Sequence, residues 1–436
     1  MNILIVGSGA REHAIARFVK KSKIPNKLYC FASNLNPGIE EISEILEIGT
    51  ISNPQAASNF AVKHSIDLAI IGPEAPLANG VVDALQRINI QCVGPTKNLA
   101  QIETSKSFTR DLMKKYNIRG CPNYQTFREL TGVSEYLKTL GENYVVKFDG
   151  LMGGKGVKVS GEHIKSHAEA IEYCEQIIAK NGKFVIEEKL IGEEFSLMSF
   201  CDGEHLIHMP PVQDHKRAYE NDTGPNTGGM GSYNDTNQSL PFLAASDIES
   251  AKLINIATAK ALKQEFGIGY KGILYGGFIA TADGVKVIEY NARFGDPEAM
   301  NVFSLLQSDF IEICLGIVNA TLNECDVSFS NKATVCKYAV PEGYPDTPLK
   351  GERIDISKVE NLDQLYLASV DLKNNILLES GSRTVAVVGI ADTLQEAEAI
   401  AESEIKRIEG PLFHRKDIGT NQLLNKRINH MNTLRG

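Results

Sequence analysis

From residue 287 the chain reads Val287-Ile-Glu-Tyr-Asn-Ala-Arg-Phe-Gly-Asp-Pro-Glu298, an apolar strand that ends in a cluster of polar groups. Residues two apart on a strand point to the same face, so we expect Glu289 and Asn291 to lie side by side. Such a pair of oxygen ligands suits Mg²⁺. A second run has too few apolar residues for a core element, and we expect a polar loop there: Gln213-Asp-His-Lys-Arg-Ala-Tyr-Glu-Asn-Asp-Thr-Gly-Pro-Asn-Thr-Gly-Gly-Met-Gly231. Together the two runs indicate phosphate chemistry on a small substrate.

The composition is that of a globular enzyme with several packed units. The chain has 436 residues, 43% of them hydrophobic and 23% charged, which predicts roughly two to four units. The net charge of −9 argues against a nucleic-acid partner. The N-terminus has no basic leader, and no apolar run approaches the about 20 residues of a membrane helix. The eight cysteines form no C-x-x-C pair, so no zinc site is indicated. We therefore expect a cytoplasmic protein that contacts no membrane.

The order of predicted elements divides the chain into three regions. Over the first ~100 residues strands alternate with helices, which predicts a parallel sheet with helices on both faces. Ligands bind such sheets at the carboxyl ends of the strands, where Gly7 and Gly72 fall. A mixed α+β section follows, with strands at 272–280 and 285–291 joined by a tight turn. Beyond about residue 322 the pattern predicts a smaller, strand-rich end.

The turn Gly7-Ser-Gly-Ala-Arg-Glu12 follows a strand and opens a helix. It is similar to the dinucleotide fingerprint, but Glu12 replaces the third glycine and would repel a pyrophosphate. Backbone N–H groups at a helix N-terminus form a general anion site. A single substrate phosphate near Gly9, aided by Arg11, is therefore favoured over a nicotinamide or flavin. A tight turn that only packs the helix is the alternative.

The run Asp149-Gly-Leu-Met-Gly-Gly-Lys-Gly156 is similar to a phosphate loop. It is not a Walker A motif, because Gly156 stands where Ser or Thr would bind Mg²⁺, and it joins two strands. We interpret it as a hinged lid whose Lys155 reaches a phosphate; an ordinary glycine-rich turn is the alternative. Lys147 precedes it on an apolar strand. Because a lone buried lysine is costly, we expect an anionic partner for it.

These segments, in this order, resemble the ATP-grasp superfamily and, within it, the phosphoribosylamine–glycine ligase family, also called glycinamide ribonucleotide synthetases. The resemblance covers nearly the whole chain. Its motifs are 7–14, 72–77, 93–96, 105–109, the lid, 213–217, 222–231 and 293–298. It implies a βαβ (pre-ATP-grasp) domain at 1–103, an ATP-grasp domain at 104–322 with a mobile lid subdomain at about 123–190, and a strand-rich C-terminal domain at 323–436.

The resemblance also implies a reaction. ATP, glycine and 5-phosphoribosylamine would give glycinamide ribonucleotide, ADP and phosphate through glycyl phosphate, a step of de novo purine synthesis. Phosphorylation activates a carboxylate that is otherwise a poor electrophile, and such transfer depends on positioning and charge neutralisation. The implied cofactor is Mg²⁺ or Mn²⁺, with ATP as co-substrate. The implied partners are small molecules, and we expect a monomer or weak homodimer.

Residue roles carried over from the family fall into four sets. The ATP-binding residues would be Lys106, Lys147, Gly153, Gly154, Lys155, Glu187, Lys189, Leu190 and Glu194. The catalytic residues would be Arg293, which clamps the glycine carboxylate, Asp214, which meets the glycine ammonium, and Lys155. The substrate-binding residues would be Gly9, Arg11, Gly72, Pro73, Glu74, Asp214, His215, Lys216, Asn226 and Arg293. The metal ligands would be Glu289 and Asn291.

Two departures from the family pattern stand out. The lid has Leu-Met-Gly-Gly before Lys155, where Ala-Ala is usual. The strand at 272–280 has no acidic residue, so the second acidic metal ligand of many ATP-grasp enzymes has no counterpart. The competing hypotheses are another ATP-grasp carboxylate–amine ligase and a nucleotide-binding regulator without activity. A Rossmann oxidoreductase is disfavoured by Glu12.

Overall fold

The N-terminal region is a parallel sheet covered by helices, as the alternation predicts. The computed structural model describes residues 1–152 and 156–436. The strands lie in the order β3-β2-β1-β4-β5, all parallel. Ile3–Val6 are fully buried because helices cover both faces. The elements are β1 (Asn2–Val6), α1 (Ala10–Lys21), β2 (Lys27–Ala32), α2 (Pro37–Glu40), β3 (Ile45–Ile48), α3 (Pro54–Lys63), β4 (Leu68–Ile71), α4 (Glu74–Ala78), α5 (Val81–Arg87) and β5 (Gln91–Val93).

The central region contains two antiparallel sheets. One has the order β6-β9-β7-β8 and encloses a hydrophobic core of its own; the other has the order β11-β10-β16-β17. The elements that build them are α6 (Gln101–Thr104), α7 (Lys106–Lys115), β6 (Tyr124–Phe127), α8 (Val133–Leu140), β7 (Tyr144–Phe148), β8 (Val157–Val159), α9 (His167–Ile178), β9 (Phe184–Glu188), β10 (Glu193–Asp202) and β11 (Leu206–His208). After the 213–231 run come α10 (Ala245–Phe266), β16 (Lys271–Thr281), β17 (Gly284–Asn291), α11 (Glu298–Leu305) and α12 (Phe310–Asn319). The first sheet falls within the range given above for the lid.

The expectation that 213–231 forms a loop outside the core is wrong. This stretch contains β12 (Gln213–Asp214), β13 (Arg217–Tyr219), β14 (Thr223–Asn226) and the start of β15 (Gly231–Asn234). β15 pairs with β18 (Ala333–Pro341), with Gly231 opposite Lys337 and Tyr233 opposite Val335. Backbone pairing with a strand about 100 residues away buries Gly231–Asn234 despite their polar side chains, whereas Tyr219–Asn221 in the middle of the stretch are exposed.

The C-terminal region completes this sheet. The order is β12-β15-β18-β23-β20, with β24 also paired to β18, so strands from both sides of residue 322 share one sheet. The remaining elements are β19 (Arg353–Ile354), β20 (Leu365–Leu367), β21 (Val370–Lys373), β22 (Ile376–Glu379), β23 (Val385–Ala391), α13 (Leu394–Ile405), β24 (Leu412–Phe413) and α14 (Asn421–Arg435). Among the described residues, no helix combines the length and apolar character needed to span a membrane.

Candidate active site

A cleft of about 880 Å³ lies where the N-terminal sheet, the two central sheets and the 213–231 segment meet. Most of the predicted site residues line it: Arg11, Pro73, Glu74, Lys106, Lys147, Glu187, Lys189, Leu190, Glu194, Asp214, His215, Lys216, Asn226, Glu289, Asn291 and Arg293. Gly153, Gly154 and Lys155 lie outside the described residues. The cleft is large enough for a nucleotide and a second small molecule together.

Glu289 and Asn291 project to the same side of β17, as the strand spacing predicts. β17 has a bulge before Glu289, because the register moves from Gly277–Glu289 to Phe278–Val287. The Lys216 ammonium lies 3.5 Å from the Glu289 carboxylate. Burial alone would raise the pKa of Glu289, but Lys216 and neighbouring cations hold it at about 2. Glu289 is therefore an anion at neutral pH, beside an amide oxygen, and this donor set suits a hard divalent cation.

The described residues around Glu289 and Asn291 supply no third metal ligand of the His, Cys, Asp or Glu type. No group of three or more His, Cys, Asp or Glu side chains is arranged to hold a metal ion within residues 1–152 and 156–436. Gly277 stands opposite Glu289 on β16 and has no side chain to offer. Glu289 and Asn291 would thus hold a cation together with oxygens of the substrates.

The Glu187 carboxylate is bound by two cationic side chains of the protein itself. The Arg110 guanidinium donates from Nε to Oε1 at 2.7 Å and from Nη2 to Oε2 at 2.9 Å. The Lys147 ammonium lies 2.7 Å from the same Oε2. Burial would raise the pKa of Glu187, yet these two cations lower it to about 2. The anionic partner expected for Lys147 is therefore Glu187 in this structure. Direct contact of the Glu187 carboxylate with adenine is disfavoured, because both oxygens already have partners.

Two other lysines of the predicted ATP set have partners as well. Lys106 lies in the first turn of α7, and its Nζ donates to the Gly150 carbonyl at 3.0 Å. Lys189 donates its backbone N–H to the Asn143 carbonyl at 3.0 Å and its Nζ to the Ser160 carbonyl at 3.0 Å. The Lys189 N–H is thus not available to an adenine ring. The predicted backbone contact there would have to come from a carbonyl or from Leu190.

Arg293 lies between two carboxylates. Its Nε is 3.3 Å from Glu74 and its Nη2 is 3.2 Å from Glu103, while Nη1 donates to the Phe294 carbonyl at 3.1 Å. Burial would lower its pKa, but Glu103 and Glu74 raise it. Glu103 is buried and Glu74 is about one-third exposed. A ligand carboxylate would therefore take the place of Glu74 on the guanidinium more readily than that of Glu103.

Asp214 and His215 face the cleft from β12 and the turn after it. Asp214 Oδ1 is buried and has no hydrogen-bond partner within the described chain. Burial, and then the nearby Glu298 carboxylate, raise the pKa of Asp214. Both ring nitrogens of His215 lack a partner among those same residues, and burial lowers the pKa of His215 to about 3. The Asp214 side chain thus offers an acceptor to a ligand ammonium, whose positive charge would lower the pKa of the carboxyl group again. The neutral imidazole of His215 offers one donor and one acceptor.

At the first turn, where a substrate phosphate is predicted near Gly9 and Arg11, the structure places the Glu12 side chain of the same turn. Gly9 donates its N–H to the Glu12 carboxylate at 2.6 Å, and Arg11 Nε donates to the same carboxylate at 2.6 Å. Arg11 Nη1 donates to the Phe294 carbonyl at 3.2 Å. Gly72 packs against Glu12, so closely that a Cβ there would overlap the carboxylate. Neither glycine lines the cleft, whereas Arg11 does.

The comparisons with known proteins agree with this arrangement. Residues 1–103 match the phosphoribosylglycinamide synthetase N domain, 104–299 its ATP-grasp (A) domain and 334–421 its C domain. This chain belongs to the phosphoribosylglycinamide synthetase family. The phosphoribosylamine–glycine ligase of Methanosarcina barkeri is 50% identical over 436 residues, which is 100% of both chains. That of Methanocaldococcus jannaschii is 51% identical over 446 residues, again 100% of both chains.

A solved structure agrees with the fold. The crystal structure of the phosphoribosylamine–glycine ligase from Thermotoga maritima is 27% identical, with a TM-score of 0.81 over 96% of this chain and 100% of that one. The predicted resemblance to the phosphoribosylglycinamide synthetase family is therefore confirmed, as is the three-part α/β and α+β architecture. Enzymes of this ATP-grasp family use ATP and a divalent metal.

Several cleft residues are absent from the predicted site set, among them Glu103, Arg110, Glu298 and Arg383. Arg110 follows Lys106 by four residues, a spacing that places both on one helix face and could have indicated it. Arg383 donates from Nη1 to the carbonyls of Gly228 at 2.7 Å and Asp296 at 2.9 Å. No local pattern indicates Glu103 or Arg383, because their partners are far away in the chain.

Proposed function

We propose that this chain joins glycine to 5-phosphoribosylamine, with ATP cleaved to ADP and phosphate, as a phosphoribosylamine–glycine ligase of purine biosynthesis. The observation that carries the proposal is one wall of the cleft, on which Glu289 and Asn291 face the same space as Lys106, Lys147 and Arg293. That wall combines oxygen ligands with cations, as phosphoryl transfer requires. The full-length similarity to named ligases supports the same reaction.

The first chemical step is phosphoryl transfer to glycine. An oxygen of the glycine carboxylate attacks the γ-phosphorus of ATP, the bond to the β–γ bridging oxygen breaks, and ADP leaves. Lys106 and Lys147, with Lys155 as a further prediction, would balance the charge of the phosphates. Glu289 and Asn291 would hold Mg²⁺ or Mn²⁺, which supplies further charge neutralisation at the transferring group. No protein nucleophile is needed.

The second step is attack on the acyl phosphate. The amine nitrogen of phosphoribosylamine attacks the glycyl carbonyl carbon, the carbon–oxygen bond to phosphate breaks, and the nitrogen loses a proton. Arg293 would orient the glycine carboxylate through its fork of donors. Asp214 would take the glycine ammonium, since its buried Oδ1 has no partner in the described part of the chain. Glu187, Lys189, Leu190 and Glu194 would surround the adenosine end of the cleft.

The finer organisation stays at the level of prediction. We propose domains at 1–103, 104–322 with a lid at about 123–190, and 323–436. We also propose a cytoplasmic location, a monomeric or weakly dimeric state, and substrate contacts by His215, Lys216 and Asn226. The alternative is an ATP-grasp enzyme that activates another carboxylate, for which the same Lys106, Lys147 and Glu289 would serve.

The direct test measures ADP release with ATP, glycine and freshly generated phosphoribosylamine, with mass detection of the amide product. We expect ADP and glycinamide ribonucleotide together, and only when all three substrates are present. ADP release that depends on a different carboxylate would indicate a sibling ligase. Binding of ATP without any turnover would favour a regulator.

A matched pair of variants tests the metal pair. Glu289→Ala should lose most turnover and keep the far-UV circular dichroism spectrum of the wild type. Glu249→Ala, which removes an exposed carboxylate from α10, should keep turnover. Full turnover in a folded Glu289→Ala variant would refute the role given to Glu289.

A further inference from the structure

Arg110 has no part in the chemistry proposed above, yet it is one of the largest fully buried side chains in the described structure. It lies on α7 four residues after Lys106, on the same face of the helix. Besides its two bonds to Glu187, Nη2 donates to the Ile288 carbonyl at 2.7 Å. The bulge in β17 occurs at Ile288, so this carbonyl is free of the strand ladder. Arg110 thus connects α7, β9 and β17 at the floor of the cleft.

Lys147 has the same two partners as Arg110. Its ammonium is 2.7 Å from Glu187 Oε2 and 3.1 Å from the Ile288 carbonyl. An ammonium has three N–H donors. Because two of those of Lys147 are held by Glu187 and the Ile288 carbonyl, the orientation of the third N–H is also fixed. The side chains of all three charged residues are less than one-tenth exposed. Solvent therefore screens this group of charges weakly.

The balance of charge within this group is informative. One carboxylate is shared by two cations, so the group of Arg110, Glu187 and Lys147 carries a net charge of +1. If Arg110 were neutral, Glu187 would cancel the charge of Lys147, and the floor of the cleft would lose its attraction for an anion. Replacing a buried ion pair by apolar residues often costs no stability. Stability alone is therefore a weak reason for a third buried charge here.

We propose that Arg110 is a positioning residue for Lys147: it neutralises Glu187 and fixes it in place, so that the Lys147 ammonium stays oriented and its charge remains available to nucleotide phosphates. The inference rests on the proposed function, in which Lys147 binds the phosphates of ATP. It adds that the affinity of the site for phosphates depends on a residue that does not touch them.

The test compares four variants by calorimetric titration with ATP, ADP and adenosine. Arg110→Met should weaken ATP and ADP on the order of tenfold, the effect of one unit charge at about 10 Å under an effective dielectric constant of about 20. Adenosine, which has no phosphates, should bind as before. The double variant Arg110→Met with Glu187→Gln restores the net charge of +1 and should recover much of the lost affinity. Arg110→Lys should keep most of it. Arg119→Met, which removes the same charge from an exposed position, should change nothing.

The outcomes separate this inference from a purely structural role. If Arg110 only held the fold together, the double variant would bind ATP no better than Arg110→Met, and adenosine would weaken in parallel; either result overturns the inference. If Arg110→Met does not fold, Arg110→Lys and the double variant decide by the same criteria. A wild-type protein that binds no ATP would instead refute the proposed function.

Discussion

Glu187 is expected to make the stability of this protein depend on pH in a defined window. Its carboxylate has a pKa of about 2 in the folded protein, against an ordinary value of 4.5, because Arg110 and Lys147 outweigh the effect of burial. A carboxyl group with a lowered pKa stabilises the fold above its unfolded pKa, and this stabilisation is lost as the pH falls through the folded pKa. The window therefore runs from about pH 4.5 down to about pH 2.

The magnitude follows from linkage. At about 1.36 kcal/mol for each pKa unit, the ionised carboxylate contributes about 3 kcal/mol at about pH 6 and about 1 kcal/mol at about pH 3. Glu187→Gln mimics the protonated side chain at every pH. The difference in unfolding free energy between wild type and this variant should therefore shrink by about 2 kcal/mol between those two pH values.

Urea unfolding followed by far-UV circular dichroism measures this difference, since the chain has no tryptophan for a fluorescence signal. Glu188→Gln, on the neighbouring and partly exposed carboxylate, is the control and should show a much smaller change with pH. A stability difference for Glu187→Gln that is the same at both pH values would contradict the reasoning, because the Arg110 and Lys147 contacts would then not favour the ionised form.

Two further predictions concern the substrate side of the cleft. Glu103→Gln removes the buried negative charge 3.2 Å from Arg293; the KM for glycine should rise roughly tenfold while the KM for ATP stays constant, as steady-state kinetics would show. An equal rise in the KM values for glycine and ATP would argue against a specific role of Glu103 in glycine binding. Gly231→Ala forces a side chain at φ +154° into the Cys336 carbonyl and should cost about 2–3 kcal/mol of unfolding free energy. Gly351→Ala, also at positive φ but with open space around it, should cost about 1 kcal/mol; equal losses would show that the overlap is harmless.

The sequence was a good guide wherever local pattern decides structure. The strands predicted at 272–280 and 285–291 are β16 and β17, whose limits differ from the prediction by at most one residue, because a tight turn separates two runs of strand-forming residues. The edge strand β3 was not predicted: Ile45 and Ile48 are exposed, and a short edge strand has neither an alternating nor a continuous buried pattern. β20 and β21 lie next to each other in the sequence but join different sheets, a division that no local pattern indicates.

Site residues were predictable from the sequence where their spacing along a single helix or strand determines which of them lie side by side. Glu289 and Asn291 follow from the period of a strand, and the bulge before them does not disturb it. The partners of Glu187 could not be predicted, because Arg110 lies 77 residues away and their pairing is a tertiary contact. The partner of the Gly9 N–H was also not predicted. The position of Gly9 at the start of a helix indicates an anion site, and in the structure the anion that accepts from this N–H is the Glu12 carboxylate.

The sheet that joins β15 to β18 also determines how the chain can be divided. A fragment that ends near residue 322 would keep β12 and β15 but lose the strand that pairs with Gly231–Asn234. The backbone N–H and C=O groups of β15 would then form an open sheet edge, which is a template for aggregation. A shortened protein made for crystallisation or display should therefore retain β18 and β23. The boundary read from sequence similarity is a poor place to cut, because the backbone ladder between β15 and β18 crosses it.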